Sequence, residues 1–211
     1  RSFHVTGVQT CALPISLSED EKRLAAKSLA VNAGALEAMD AELGHLIAAL
    51  KSSGDYENTV FIVTSDNGPE AGDAWGTAGQ VWFDLHGYER EYDTLGERRS
   101  WVAIGPGGAA AAAGPNHLFK FHAGDGGLRV PLIVSGPSLP QSQTMTAFTT
   151  MADIAPTILE LAGISETLPG DTKPMTGKSL SPLIEGDVDY VYGPDEPVGF
   201  TTSGQIALYR G

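Results

Sequence analysis

Cysteine is almost absent from this chain of 211 residues, which contains only Cys11. A single cysteine excludes an internal disulfide framework and a zinc site built from several cysteines. Long apolar stretches are missing as well, because no run of 18 or more apolar residues occurs. The sequence therefore predicts no membrane-spanning helix.

Basic residues are scarce relative to acidic ones. The chain has 13 Lys and Arg against 26 Asp and Glu, and its formal net charge is −13 at pH 7. This excess of negative charge argues against nucleic acid or an anionic membrane surface as a partner, because both are polyanions. It is compatible with a protein that holds cations. Hydrophobic residues make up 42% of the chain, which is enough to form a folded core.

The first regular pattern begins only after residue 16. Residues 1–16 lack helical periodicity and the regions of a signal peptide. They resemble the translated read-through of a sequencing adaptor, so we interpret them as a non-native segment outside the fold. Ser18 and Glu21 then form the pattern of a capping box, which predicts a long amphipathic helix. This helix is expected to reach about Ser52 and to end at Gly54.

A short apolar stretch after this helix leads into a polar turn. Residues 59–63 are mostly β-branched or aromatic and predict a strand that is buried on both faces. Ser65-Asp66-Asn67-Gly68 follows directly. Ligands bind outside the carboxyl ends of strands in open α/β sheets, and the Asp66 carboxylate and Asn67 amide offer hard oxygens that suit Ca²⁺ or Mg²⁺. The alternative is a simple turn, since Asp, Asn and Gly all favour turns.

The rest of the chain has a long weakly patterned region and then regular elements again. Residues 69–114 predict an irregular loop, either a lid or an insertion without chemistry. A second buried strand is predicted over residues 130–134, and Asp153 is expected to cap a helix. Residues 177–184 predict a short helix after a turn. Residues 198–209 alternate weakly and predict an extended strand.

Several short motifs follow one another between Leu17 and the end of the chain. They are Ala38-Met39-Asp40 with Gly44, Asn58-Thr59, Ser65-Asp66-Asn67-Gly68, Lys120, Asp125-Gly126-Gly127-Leu128-Arg129-Val130-Pro131, Asp153-Ile154-Ala155-Pro156-Thr157-Ile158-Leu159 with Ala162-Gly163, and Gly177-Lys178-Ser179-Leu180. Their order and spacing together resemble the sulfatase family, in the alkaline-phosphatase-like superfamily. Residues 100–120 look most like the bacterial arylsulfatase branch.

The resemblance implies an α/β fold: part of an alkaline-phosphatase-like mixed sheet flanked by helices, with the start of a small C-terminal sheet. It implies that residues 17–190 are the second half of the sulfatase α/β domain and that residues 191–211 are the truncated start of a C-terminal subdomain. The chain is thus expected to be a C-terminal fragment. The family also implies a periplasmic or secreted protein. The fragment itself contains no recognisable signal peptide, and its sequence does not indicate an oligomeric state.

The resemblance also implies a site. Asp66 and Asn67 match ligands of a divalent metal, Ca²⁺ or alternatively Mg²⁺, and Lys120 matches the catalytic lysine that contacts the sulfate. The implied substrate is a small-molecule or glycan sulfate ester. The family's formylglycine arises in a Cys/Ser-x-Pro-x-Arg motif, and Cys11-Ala12-Leu13-Pro14 has neither the spacing nor the arginine. We therefore expect formylglycine in a missing N-terminal part, and the fragment alone should be inactive.

Two other classes stay open from the sequence. One is a phosphatase or phosphodiesterase of the same superfamily, and the other is a catalytically inactive homologue that acts as a binding module. Lys120 also has an alternative interpretation as a solvated surface lysine, the usual fate of an ammonium on a flexible stem.

Overall fold

A computed structural model describes residues 17–72, 76–89, 91–140, 143–164 and 173–210. The interpretation of residues 1–16 as non-native, with Cys11 among them, lies outside these described residues. Within the described ranges, no helix has the combination of length and apolar character that crossing a membrane requires.

The described residues form six α-helices and four β-strands. The helices are α1 (Glu19–Ser53), α2 (Gly76–Leu85), α3 (Gly105–Ala113), α4 (Asp125–Leu128), α5 (Ile154–Leu161) and α6 (Ser181–Glu185). The strands are β1 (Phe61–Thr64), β2 (Leu132–Ser135), β3 (Val198–Thr202) and β4 (Gln205–Tyr209). Helices and small sheets share one chain, so the predicted α/β class is confirmed.

The chain divides into two compact units. The described residues of the first lie within Arg1–Ser52, Asn67–Val130 and Thr202–Gln205. Those of the second lie within Ser53–Asp66, Pro131–Thr201 and Ile206–Gly211. The expected boundary near residue 190, between an α/β domain and a C-terminal subdomain, stays a prediction.

Helix α1 begins with the capping box that the sequence predicts. The Ser18 N–H donates to Glu21 Oε2 at 2.7 Å, and the Glu21 N–H donates back to Ser18 Oγ at 3.3 Å. The Ser18 N–H bond, together with a bond from the Ser18 hydroxyl to the same Glu21 oxygen at 2.8 Å, lowers the pKa of the Glu21 carboxyl. Gly54, at φ 85°, ends the helix in the left-handed conformation that glycine tolerates. Both predicted ends of this helix are therefore confirmed.

Strands β1 and β2 pair antiparallel, and the register sets Phe61 opposite Ser135 and Thr64 opposite Leu132. The predicted strands were placed within two residues of these positions. The expectation that they are buried on both faces is wrong: β1 is only half-buried, and Ile133 in β2 is 57% exposed. The physical reason is that the two strands form a sheet of their own within the described residues, so no further strand covers their edges.

Residues 69–114 are more regular than predicted, because α2 and α3 lie within them. Phe83 on α2 is 1% exposed and packs its ring against Trp101, with ring centroids 4.7 Å apart. Helix α3 consists largely of alanine, the strongest helix former, with Pro106 in its first turn. Scattered aromatic residues and glycines hid the helical pattern of α2 in the sequence.

Asp153 has a different role from the one predicted. It stands at the start of α5 but makes no cap bond to that helix. Its side chain is fully buried and accepts hydrogen bonds from the Thr150 N–H at 2.6 Å, the Lys178 N–H at 2.8 Å and the Tyr192 O–H at 2.5 Å. One carboxylate thus joins three segments of the second unit. Burial, and then the hydrogen bond to Asp153, raise the pKa of Tyr192 to about 12.

The end of the described chain is a two-stranded hairpin. Strands β3 and β4 are hydrogen-bonded to each other and are joined by Ser203 at φ 48° and Gly204 at φ 77°. Positive φ at both central residues is the geometry of a tight hairpin turn. The extended stretch predicted over residues 198–209 is therefore two strands, and they form the expected small C-terminal sheet.

We predict that Asp153→Ala destabilises the protein strongly. The substitution leaves three donors without their acceptor, and each buried donor left unpaired costs about 1–3 kcal/mol. The free energy of unfolding, measured by urea denaturation, should fall by about 3 kcal/mol or more. The control is Asp189→Ala at an exposed aspartate of the same unit, which should change it by less than about 0.5 kcal/mol. Equal stability of the two variants would contradict the role of Asp153.

Candidate functional site

Asp66 and Asn67 follow the end of β1 after one intervening residue, Ser65. The Asp66 side chain is exposed, and Asn67 is half-buried. The Asn67 Nδ2–H donates to the Gly68 carbonyl at 3.0 Å, which fixes the amide group against its own turn. Asp66 lies in the second unit and Asn67 in the first, at the point where the chain passes between them.

Lys120 lies in the first unit, in the loop between α3 and α4. Its backbone N–H donates to the Pro69 carbonyl at 3.0 Å. A second backbone bond, from the Gly68 N–H to the Gly127 carbonyl at 3.0 Å, joins the same two segments. The turn after the candidate metal ligands and the loop that carries Lys120 are therefore held together, although they are far apart in the sequence.

Glycine is required where these segments meet. A Cβ atom on Gly68 would lie 1.8 Å from the Gly126 carbonyl oxygen, and one on Gly126 would lie 1.9 Å from the Leu118 carbonyl oxygen. A Cβ atom on Gly127 would lie 2.2 Å from the His122 carbonyl oxygen. All three obstacles are backbone atoms, which cannot swing aside as the end of a side chain can. The glycines of both motifs thus serve close backbone packing.

The loop around Lys120 has an unusual backbone. Leu118 at φ 65° and Phe121 at φ 72° are in the left-handed region, which side chains other than glycine rarely adopt. Backbone bonds from Gly126 to His117 (2.8 Å) and from His122 to Phe119 (3.2 Å) stabilise this conformation. Strain of this kind is concentrated at functional sites, where the surrounding structure holds it in place.

The Lys120 ammonium forms an ion pair with Glu70, at 2.9 Å between Nζ and Oε2. The same ammonium lies 5.1 Å from the centroid of the Phe121 ring. Lys120 is therefore an ion-paired lysine whose side chain is 31% exposed, and its contact with sulfate stays a prediction. Sequence reasoning missed Glu70, because its only signal is an acidic residue shortly after Asn67, and nothing local links it to Lys120.

Asp66 and Asn67 are the candidate metal ligands of the described residues. Among the residues that the structure describes, no group of three or more His, Cys, Asp or Glu side chains is arranged to hold a metal ion. Asp66 and Asn67 offer one carboxylate and one amide. Because Asp66 and Lys120 belong to different units, their expected approach within one sulfate site stays a prediction.

Two cavities lie in the first unit, away from these residues. One of about 490 Å³ is lined mainly by charged side chains of α1 and of the segment around Tyr92. The other, of about 430 Å³, is lined by α1, Trp101 and the first residues of α3. Neither is lined by Asn67, Glu70 or Lys120. The candidate residues and these two cavities are thus separate features.

Comparisons with known proteins extend this description. A sequence profile described as Sulfatase matches residues 10–164. An uncharacterized sulfatase of Schizosaccharomyces pombe is 34% identical over 154 residues, covering 70% of this chain and 27% of that protein. Arylsulfatase of Klebsiella aerogenes is 31% identical over 176 residues, covering 80% of this chain and 37% of that protein. Phosphonate monoester hydrolase from Silicibacter pomeroyi matches in structure with a TM-score of 0.40 and 26% identity, covering 70% of this chain and 20% of that chain.

The profile matches more than half of the chain, so the chain belongs to the sulfatase family. The family resemblance of the motifs is thereby confirmed. The chain spans 27% and 37% of the length of the two curated relatives.

We predict that Gly126→Ala destabilises the protein while a glycine substitution on α1 does not. The new Cβ atom would meet the Leu118 carbonyl at 1.9 Å, so backbone must shift, and we expect a loss of about 2–4 kcal/mol in the free energy of unfolding. The matched control is Gly44→Ala, where nothing lies within 4 Å and the better helix propensity should add up to about 1 kcal/mol. Denaturation curves that rank the two variants the other way would show that the glycine contact is not required.

Proposed function

We propose that this chain is part of a sulfuric ester hydrolase of the arylsulfatase type. The observation that carries the proposal is that Lys120 is fixed next to the turn that follows Asp66 and Asn67. Its backbone N–H donates to the Pro69 carbonyl, and its ammonium forms an ion pair with Glu70. Family membership supports the same reaction class. The relative named arylsulfatase supports aryl sulfates as the first substrates to test.

Lys120 would stabilise negative charge on the sulfate. An ammonium has three N–H donors, and the pair with Glu70 uses one of them. The others can donate to the sulfate ester, whose leaving-group oxygen gains negative charge in the transition state. A preorganised cation at that position is the kind of group that lowers the barrier most.

Asp66 and Asn67 would hold a divalent metal. A carboxylate and an amide oxygen have the hard-donor chemistry of Ca²⁺ or Mg²⁺ ligands, so the pair suits this group. Ca²⁺ takes about six to eight oxygens, and two residues cannot provide them all. The remaining ligands would come from another part of the protein.

The nucleophile would also come from another part of the protein. A formylglycine in that part would supply the nucleophilic oxygen. The residues of this chain would bind and orient the sulfate, and Lys120 would balance its charge. We also propose that the complete protein is periplasmic or secreted, like the family that it resembles.

The test is the activity of the complete protein, expressed with its upstream sequence, on p-nitrophenyl sulfate and p-nitrophenyl phosphate. We expect the sulfate ester to be the better substrate. Lys120→Met should lower kcat/KM by about 10²- to 10³-fold, the usual effect of removing one charge-stabilising donor. Lys22→Met removes another paired lysine on the surface of α1 and should change kcat/KM by less than about twofold.

Three outcomes would contradict the proposal. A preference for the phosphate ester would favour the phosphatase alternative. No activity on either ester, with intact folding, would favour an inactive binding module. Full activity of Lys120→Met would remove Lys120 from the site.

A further inference from the structure

Both oxygens of the Glu70 carboxylate are engaged. Oε2 pairs with the Lys120 ammonium at 2.9 Å, and Oε1 accepts the Gly72 N–H at 3.2 Å. The second bond ties the carboxylate to its own backbone. Glu70 is therefore a fixed partner for Lys120 and does not depend on that contact alone for its orientation.

The Lys120–Glu70 pair is partly shielded from water. Its side chains are 31% and 38% exposed, against 43% for both side chains of the Lys178–Glu196 pair and 71% and 97% for the Arg210–Asp195 pair. Exposed pairs are weak because water and salt screen them. A pair that is partly shielded, and anchored through the Gly72 N–H, orients its ammonium more firmly.

The backbone around Lys120 also restricts the position of this residue. Its N–H donates to the carbonyl of Pro69, the neighbour of Glu70, and the ring centroid of the next residue, Phe121, lies 5.1 Å from the ammonium. The Phe121 φ of 72° places that residue in a strained conformation next to Lys120. Three contacts thus restrict Lys120: the hydrogen bond of its backbone N–H, the ion pair of its ammonium with a carboxylate, and the approach of its ammonium to an aromatic ring.

We propose that Glu70 is a positioning residue that holds the Lys120 ammonium in the direction needed to contact a sulfate ester. The proposal rests on the sulfatase function proposed above. Glu70 itself need not touch the substrate. Its negative charge would even weaken binding of an anionic ester, so its benefit must appear in the chemical step.

This role predicts a particular split between the kinetic constants in the complete protein. Glu70→Ala frees the ammonium and should lower kcat by about tenfold, while KM stays the same or falls because a negative charge is gone. Glu70→Gln keeps an oxygen that can accept from the ammonium, and it should keep most of kcat. A merely structural role would lower the stability of both variants without this split.

A double-mutant cycle isolates the pair. If Glu70 acts through Lys120, then Glu70→Ala should cause no further loss of kcat once Lys120→Met is present, because coupled residues are not additive. The control is Glu196→Ala, which breaks the Lys178–Glu196 pair, with 43% exposure of both side chains, in the other unit. That variant should leave kcat unchanged.

A second readout does not depend on activity and uses the 211-residue chain itself. Lysines are acetylated with an N-hydroxysuccinimide ester, and the rate at each site is followed by mass spectrometry. Glu70→Ala should raise the rate at Lys120 by about threefold or more relative to Lys22, because the ammonium loses its partner. Glu196→Ala should raise the rate at Lys178 alone.

The outcomes separate the two proposals. An unchanged labelling rate at Lys120 overturns the positioning role, whatever the enzyme does. Faster labelling with unchanged kcat in Glu70→Ala overturns its part in the reaction. Faster labelling in a complete protein that hydrolyses no sulfate ester overturns the proposed function and with it the catalytic role of Glu70. Faster labelling together with the kinetic split supports both.

Discussion

The candidate site depends on a contact between two backbones that only glycine permits. Gly68 and Gly126 approach so closely that a Cβ atom on the first would lie 1.8 Å from the carbonyl oxygen of the second. This contact sets the turn after Asn67 against the loop that carries Lys120, and backbone hydrogen bonds then fix the two segments in register. The position of the Lys120 ammonium beside Glu70 follows from that arrangement.

The second unit uses the same device around a buried carboxylate. Gly177 lies so close to the Ala152 carbonyl that a Cβ atom would be 2.0 Å from its oxygen, and the next residue donates its N–H to Asp153. The family motifs of this chain therefore have two kinds of work. Several of their glycines allow distant segments of backbone to pack closely, and Asp66, Asn67 and Lys120 are the residues to which we propose to assign the chemistry.

Sequence patterns predicted the elements whose cause is local. The capping box of Ser18 and Glu21 located α1, and β-branched residues located β1 to within two residues. Patterns failed where distant contacts decide. Asp153 is a residue type that favours helix caps. Its hydrogen-bond partners Lys178 and Tyr192 lie much further along the chain, so no local signal could show its role.

The same dependence on distant contacts explains why the sequence did not indicate Glu70 and why it overestimated the burial of β1 and β2. Glu70 pairs with Lys120 through a tertiary contact, and the sequence around Glu70 gives no sign of it. Apolar composition shows that a strand is suited to burial, but only the tertiary structure determines which neighbours bury it. The predicted burial of β1 and β2 was therefore too high. The position of Asp66 and Asn67 after a strand suggested metal ligands, and the family resemblance added the proposed role of Lys120, which no pattern of period or charge indicates.

The central proposal is that Asp66, Asn67 and Lys120 bind one sulfate and its metal ion together. The most direct measurement is a crystal structure of the complete protein grown with Ca²⁺ and inorganic sulfate. The account predicts a cation bound by the side-chain oxygens of Asp66 and Asn67 at about 2.3–2.6 Å. It predicts a sulfate oxygen about 2.8 Å from Lys120 Nζ, with Glu70 still on the same ammonium. A Lys120 side chain directed away from the bound cation, with no sulfate beside it, would contradict the account.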